Sequence, residues 1–226
     1  TRDPAAPVSL GDFESDTAGW AVYPSGAVTG DLSVSTSDAA TGNGSAQVTM
    51  DATGGSGYLE IASAISSLDL AAVTFSVKSS DLTAISVRVT DSTGQAFQHR
   101  VALDPAEPGW QKATIDDFDD TDRHWGGADD GVWHGPVTKM AFLVDHFVLT
   151  DPTQIASLQI DAIEGIPVPS DLAVYTSTLG NIFTTGQPVS VGLTTTAGDV
   201  SWTVTDEGGA SVETATSSVD SLGGSI

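Results

Sequence analysis

Apolar and polar residues alternate with a period of two through most of the chain. Val73-Thr74-Phe75-Ser76-Val77-Lys78, Ile85-Ser86-Val87-Arg88-Val89-Thr90 and Leu158-Gln159-Ile160-Asp161-Ala162-Ile163 each put their apolar side chains on one face of an extended strand. Residues 8–13, 32–35, 46–50, 58–61, 96–101, 111–115 and 139–144 carry the same signal less regularly. Turn clusters such as Thr41-Gly42-Asn43-Gly44 and Asp91-Ser92-Thr93-Gly94 separate them. Roughly ten short strands, spaced about 8–12 residues apart, predict an antiparallel sandwich. The one helical turn expected spans residues 152–156.

The pattern breaks at Ile166-Pro167-Val168-Pro169-Ser170-Asp171, where two prolines mark a linker. Beyond it a second strand series covers residues 172–175, 188–194, 200–205 and 211–216. Trp202, between Val200 and Val204, looks like the buried aromatic of an immunoglobulin-like sandwich. Such a domain takes about 100 residues, more than remain, so a partial one is expected. The division is therefore 1–166, a linker at 167–171, and 172–226.

Composition supports a β fold. Hydrophobic residues make up 39% and mean hydropathy is +0.04, enough for a core, and only 16% of residues are charged. Ser, Thr and Gly abound while Glu and Lys, the usual residues of helix surfaces, are scarce. A net charge of −23, mostly from Asp, leaves no cationic footprint for nucleic acid and no attraction to anionic lipid. No apolar run reaches the length of a membrane span. The absence of Cys excludes disulfides, thiol nucleophiles and thiolate zinc sites. With Thr at position 1 and no signal-peptide pattern, the chain reads as a mature or excised segment of something longer.

Two motifs bracket the first domain: Gly11-Asp12-Phe13-Glu14 followed by Gly19-Trp20, and Ile160-Asp161-Ala162-Ile163. Together, around a β-only middle, they resemble the calcium-containing jelly-roll carbohydrate-binding modules, which are galactose-binding-like sandwiches. The resemblance covers about residues 8–166. It implies an antiparallel jelly-roll β-sandwich whose first and last strands are neighbours tied by a structural Ca²⁺. Carried onto this sequence, it gives Glu14 and Asp161 as carboxylate ligands, with Asp12 and the Asn43-Gly44 turn adding oxygens. Ca²⁺ takes 6–8 such hard donors. The plain alternative is that Asp12 and Glu14 are solvated strand-end residues and Asp161 faces outward. No EF-hand competes, because a loop counted from Asp117 has Asp122 where the turn glycine belongs.

The second concentration of chemistry is residues 116–136, an Asp- and Gly-rich stretch too polar for a strand and long for a connection. It holds Arg123, His124, Trp125, Asp129, Asp130, Trp133 and His134. Trp faces stack on the apolar C–H patches of sugar rings while Asp, Arg and His bond hydroxyls, so this composition suits a sugar site. Three other readings stay open: the tryptophans as the loop's own small core, the loop as a docking face for a neighbouring domain, or the acids as a solvated rim. His124 and His134 with Asp129 and Asp130 match no compact zinc spacing. With 30 acids, some pair will satisfy any glycosidase carboxylate distance, so abundance is no evidence of catalysis. Trp20 and Trp110 sit at expected strand ends in core or rim positions.

The whole is expected to be an all-β chain, a jelly-roll module followed by a partial immunoglobulin-like sandwich. By resemblance to the N-terminal parts of polysaccharide-degrading enzymes, it is a non-catalytic accessory segment of a secreted or cell-surface glycoside hydrolase. It would bind a polysaccharide or oligosaccharide through residues 116–136 and have no activity alone. The alternative is an architectural domain whose loop docks on, or completes the active site of, a neighbouring catalytic domain.

Overall fold

The structure, a computed structural model, describes residues 6–121, 123–168, 173–176, 191–194, 198–205, 208–219 and 224–225. The chain divides between Val168 and Pro169 into two compact units. Most of the expected linker lies outside the described residues; Pro167 closes a strand and the Val168 N–H donates to the Asp69 carbonyl at 2.9 Å.

Twelve strands build the first unit: β1 (Val8–Gly11), β2 (Ala21–Gly26), β3 (Thr29–Ser35), β4 (Ser45–Asp51), β5 (Gly57–Leu68), β6 (Leu70–Lys78), β7 (Ala84–Thr90), β8 (Ala96–Ala102), β9 (Gln111–Ile115), β10 (Arg123–Trp125), β11 (Val137–Asp145) and β12 (Ile155–Pro167). They form two antiparallel sheets. One runs β3-β4-β12-β6-β9, with β1 also paired to β12; the other runs β10-β8-β7-β11-β5-β2. The chain crosses repeatedly between sheets, so most pairings join strands distant in sequence.

Period-two alternation decides which way each strand faces. Val73, Phe75 and Val77 on β6, Val87 and Val89 on β7, and Leu158 and Ile160 on β12 all point between the sheets and are buried. Phe142 sits among them, edge-on to Phe75 at 4.9 Å and tilted against Trp20 at 5.4 Å. The Trp20 indole N–H donates to the Leu10 carbonyl at 2.9 Å, which satisfies its polar atom inside the core. Trp110 stays at the rim, its N–H 3.4 Å from Asp38.

The structure corrects the sequence reading in three places. Residues 152–156 are not helical: Asp151 accepts from the Thr153 N–H and hydroxyl at 2.9 and 2.6 Å, an Asx turn that feeds β12. Among the described residues the one helical turn is the 3₁₀ piece His146–Val148, capped by Asp145. Strand β2 had no sequence expectation because Pro24 and Gly26 interrupt it, yet an edge strand tolerates proline. Residues 123–125, expected as loop, form β10.

The second unit holds β13 (Ala173–Thr176), β14 (Val191–Thr194), β15 (Gly198–Thr205), β16 (Ser211–Val219) and β17 (Gly224–Ser225). β13-β14-β17 make one antiparallel sheet and β15-β16 a hairpin. Trp202 stands on β15 and is half-buried.

Candidate functional site

Two buried polar residues organise the 116–136 segment. Asp91, fully buried, accepts from the Thr93 N–H and hydroxyl, the Gln95 N–H and the His134 N–H at 2.7 to 3.3 Å. Gln95, also buried, donates to the Asp130 carboxylate and the Val132 carbonyl and accepts from the Gly131 N–H. Asp130 takes a further bond from the His134 ring at 3.0 Å. That bond, with one from the Val132 N–H, holds the Asp130 carboxyl down at about 2, and Asp130 in turn raises His134 above its ordinary value. Asp130 and His134 thus brace the segment.

The two tryptophans part company. Trp133 packs inward, 5.3 Å from Phe97 and 4.5 Å from Phe118, half-buried against the core. Trp125 is 39% exposed on β10, opposite Ala96 of β8. His124 lies on the Phe97 side of the same strand, with its ring 3.6 Å from Asp129, an exposed turn residue with φ of 52°. Arg123 returns to the Trp125 side, exposed, opposite Gln98.

Trp125 and Arg123 belong to the outer face of the second sheet. Cross-strand register puts Arg123, Gln98, Arg88, Ala141, Ala62 and Ala21 in one row across it. Ala62, Ala141 and Leu143 form a small apolar floor separate from the core. Above it Glu60, only 8% exposed, receives Arg88 at 2.9 Å and Lys139 at 2.7 Å. Arg88 also donates to Gln98 at 3.1 Å, and its guanidinium lies 4.7 Å from the Trp125 ring centre. Trp125 is therefore held with one face backed by a cation. Beside this network opens a cleft of about 470 Å³ lined by Ser86, Gln98, Arg100, Arg123, Leu143 and Phe147, among others. Phe147 is 82% exposed, and Tyr23 and Tyr58 stand exposed on β2 and β5.

Sequence reasoning did not single out Arg88, Glu60, Gln98, Lys139 or the tyrosines. Its signal for Arg88 was present in residues 85–90: the polar positions of a strand whose other face is core must line a face of their own.

The second candidate site lies where β1 and β12 meet. Phe13 and Ala162 have positive φ, 51° and 50°, and β12 bulges between Asp161 and Glu164. The kinks send Phe13 into the core, leave Glu14 at the surface and bury Asp161 completely. Asp161 accepts from the Ala40, Thr41 and Ala162 N–H groups at 2.6 to 3.0 Å. Glu14 accepts from the Asn43 N–H at 2.9 and 3.1 Å and from the Gly44 N–H at 3.4 Å. Asn43 so presents its backbone N–H to Glu14, and the Asp12 carboxylate caps the Glu14 N–H at 3.4 Å. Both carboxylates grip one loop, residues 40–44. Among the described residues no three His, Asp or Glu side chains converge as metal ligands. A cation here would draw on these two carboxylates, each with a lone pair to spare, and on backbone oxygens. That all-oxygen set fits Ca²⁺ and not a transition metal.

No family model matches the sequence, and no curated protein does. Among solved structures, the chain is similar to the family 11 carbohydrate-binding module of the cellulosomal cellulase Lic26A-Cel5E of Clostridium thermocellum. The TM-score is 0.54 at 13% identity, over 72% of this chain and 95% of that one. The fold is the β-sandwich of carbohydrate-binding modules. Weaker likenesses include a structure of carbohydrate-binding modules of the β-sandwich superfamily (TM-score 0.46, 15% identity, 69% of this chain and 62% of that one). Another is a family 61 module in complex with β-1,4-galactotriose (TM-score 0.43, 16% identity, 70% and 92%). At 13% identity the first of these likenesses shows a shared β-sandwich fold and no ligand.

Proposed function

We propose that the first unit binds a polysaccharide or oligosaccharide on the outer face of the second sheet, with Trp125 as its stacking platform. The observation that carries this is the Trp125–Arg88–Glu60 arrangement: an exposed indole with one face against a guanidinium that is itself anchored by Glu60 and Gln98. A sugar ring offers an apolar C–H face and a rim of hydroxyls, and the site offers an aromatic face beside fixed donors and acceptors. Little order remains to be gained on binding, which favours affinity. Six strands at ~4.8 Å spacing make the face ~24 Å wide, room for several sugar units. The binding element is therefore β10 with the sheet behind it, rather than the whole of residues 116–136.

The same proposal takes the segment as a non-catalytic accessory part of a secreted or cell-surface carbohydrate-active enzyme. The parent would be a glycoside hydrolase with a neighbouring catalytic domain, and the second unit an immunoglobulin-like β unit. A module-type sandwich in series with a second β unit supports this reading. A structural Ca²⁺ held by Glu14 and Asp161, with oxygens of the 40–44 loop, would lock the first strand to the last.

Glycan-array binding of the full chain, followed by calorimetry on a hit, tests the function. Trp125→Ala should weaken binding by about tenfold or more without loss of fold. Trp133→Ala should instead lower the melting temperature, since its ring packs against the core. Undiminished binding by Trp125→Ala would overturn the assignment of this face.

A further inference from the structure

The chain has only 7 Lys and Arg against 30 Asp and Glu. Four of those cations, Arg88, Arg100, Arg123 and Lys139, stand on the outer face of one sheet, where register and alternation place them together. The acids with them are Glu60, already taken by Arg88 and Lys139, and Asp145 at the end of β11. Asp145 accepts from the Phe147 N–H at 3.0 Å, with the His146 ring 3.3 Å away.

Arg100 and Arg123 differ from the other two. Both are exposed, both line the cleft of about 470 Å³, and neither has an acidic partner within 4.0 Å among the described residues. Asp116, Asp117 and Asp120 border Arg100 on its other side and still make no ion pair with it. Two exposed guanidinium groups on one wall of one cleft, neither held in an ion pair, are free to turn together to an oxyanion there. The residues are diagonal neighbours, Arg123 opposite Gln98 and Arg100 two positions beyond it, a placement that sets such pairs ~7–8 Å apart. That separation lets two forked side chains close on one planar or tetrahedral oxyanion. Trp125 stands two residues from Arg123 on the same strand face, ~7 Å along.

We propose that this cleft takes an anionic glycan, with a carboxylate or sulfate ester seated between Arg100 and Arg123 and an adjoining ring on Trp125. The inference rests on the glycan-binding reading above and names the class of glycan. It is compatible with a net charge that excludes nucleic acid. Two guanidiniums suit one acidic group, whereas a continuous phosphate backbone needs a basic stripe.

Because the whole-chain charge repels polyanions at long range, the readout is a comparison of variants at one ionic strength, about 0.15 M. Calorimetry on the full chain would use polygalacturonate for carboxylate, dextran sulfate for sulfate ester, and mixed-linkage β-glucan as the neutral control. One of the acidic polymers should bind more tightly than the glucan, and which one does identifies the group. Arg100→Gln with Arg123→Gln should cost about tenfold or more on that polymer, and Arg100→Lys with Arg123→Lys should keep part of it. Both positions are exposed, so an unchanged melting curve is expected for each pair. Glucan bound as tightly as the acidic polymers would overturn the anionic class and leave glycan binding standing. Acidic binding indifferent to the double Gln variant would do the same. Absence of binding to any glycan, on these polymers and on an array, would remove both readings.

Discussion

Asp130, His134, Trp125 and Trp133 are of kinds that sequence reading treats alike, and the fold gives them different work. Asp130 and His134 attract attention as a polar pair near tryptophans, yet their bonds run to each other and to Gln95 and Val132. The pair sets a pH window for the segment. His134 is raised above its ordinary 6.5, chiefly by its bond to Asp130, so its contribution is full below that value and lost as pH climbs through the raised one. Asp130 falls from 3.8 to about 2, so its contribution is present above the former and lost as acid takes pH through the latter. The 126–134 segment should therefore be best held between roughly pH 4 and 6.5. An NMR titration of the His134 ring should show a midpoint above 6.5 that Asp130→Asn brings back toward it. Equal midpoints in the two proteins would rule the brace out. Trp125 and Trp133, eight residues apart, could not be told apart by composition. What separates them is that β10 aligns Trp125 with Ala96 on the outer face, while Trp133 meets Phe97 and Phe118 inside.

At the scale of elements, β12 does the most. It pairs with β4 along its first half, with β1 along its second, and with β6 on its other side. Its period-two pattern was plain in the sequence, but the bulge after Asp161 was not, because a bulge is defined by the partner strands. That bulge and the kink at Phe13 bring Asp161 and Glu14 to the 40–44 loop. The loop accepts them only because it lacks side chains where they arrive. A Cβ on Gly44 would lie 2.2 Å from the Phe13 carbonyl oxygen, a backbone atom with nowhere to go. Gly44→Ala should cost about 2 kcal/mol or more in urea unfolding, through displacement of β1 from the loop. Gly94→Ala, in open space with φ of +88°, should cost only the left-handed penalty, about 1–2 kcal/mol. Equal losses for the two would show that the close approach at Gly44 does not matter. The same dependence on neighbours explains β2, which carries Pro24 and Gly26 and survives as an edge strand.

At the scale of the molecule, acidity is distributed by role. Many aspartates, such as Asp51 and Asp151, close Asx turns. Four of the seven cations gather on one sheet face, and the two ends of the first unit meet through Glu14, Asp161 and the loop between them. If Ca²⁺ joins these ends as proposed, a chelator should lower the melting temperature of the full chain and added Ca²⁺ restore it by mass action. Glu14→Gln with Asp161→Asn should then leave the chelator without effect. A wild-type melting curve that ignores both chelator and Ca²⁺ would end the calcium proposal.

Alternation and turn residues by themselves determined that this chain is an antiparallel β protein, where most of its strands run, and that it changes character near residue 167. These are short-range properties, since side chains two residues apart share a face whatever the strand pairs with. The motifs at residues 11–14 and 160–163 further marked two ends that meet as β1 and β12. Only the tertiary structure decided which strands adjoin, and hence that Arg88, Arg100, Arg123, Lys139, Glu60 and Trp125 share one face. Those residues come from five of the second sheet's six strands, with β6 and β9 of the other sheet falling between them in the chain. Their proximity is set by long-range pairing, which leaves no local trace in sequence. A polar residue in a period-two strand is known to face away from the core; what it faces toward is settled by its neighbours in space.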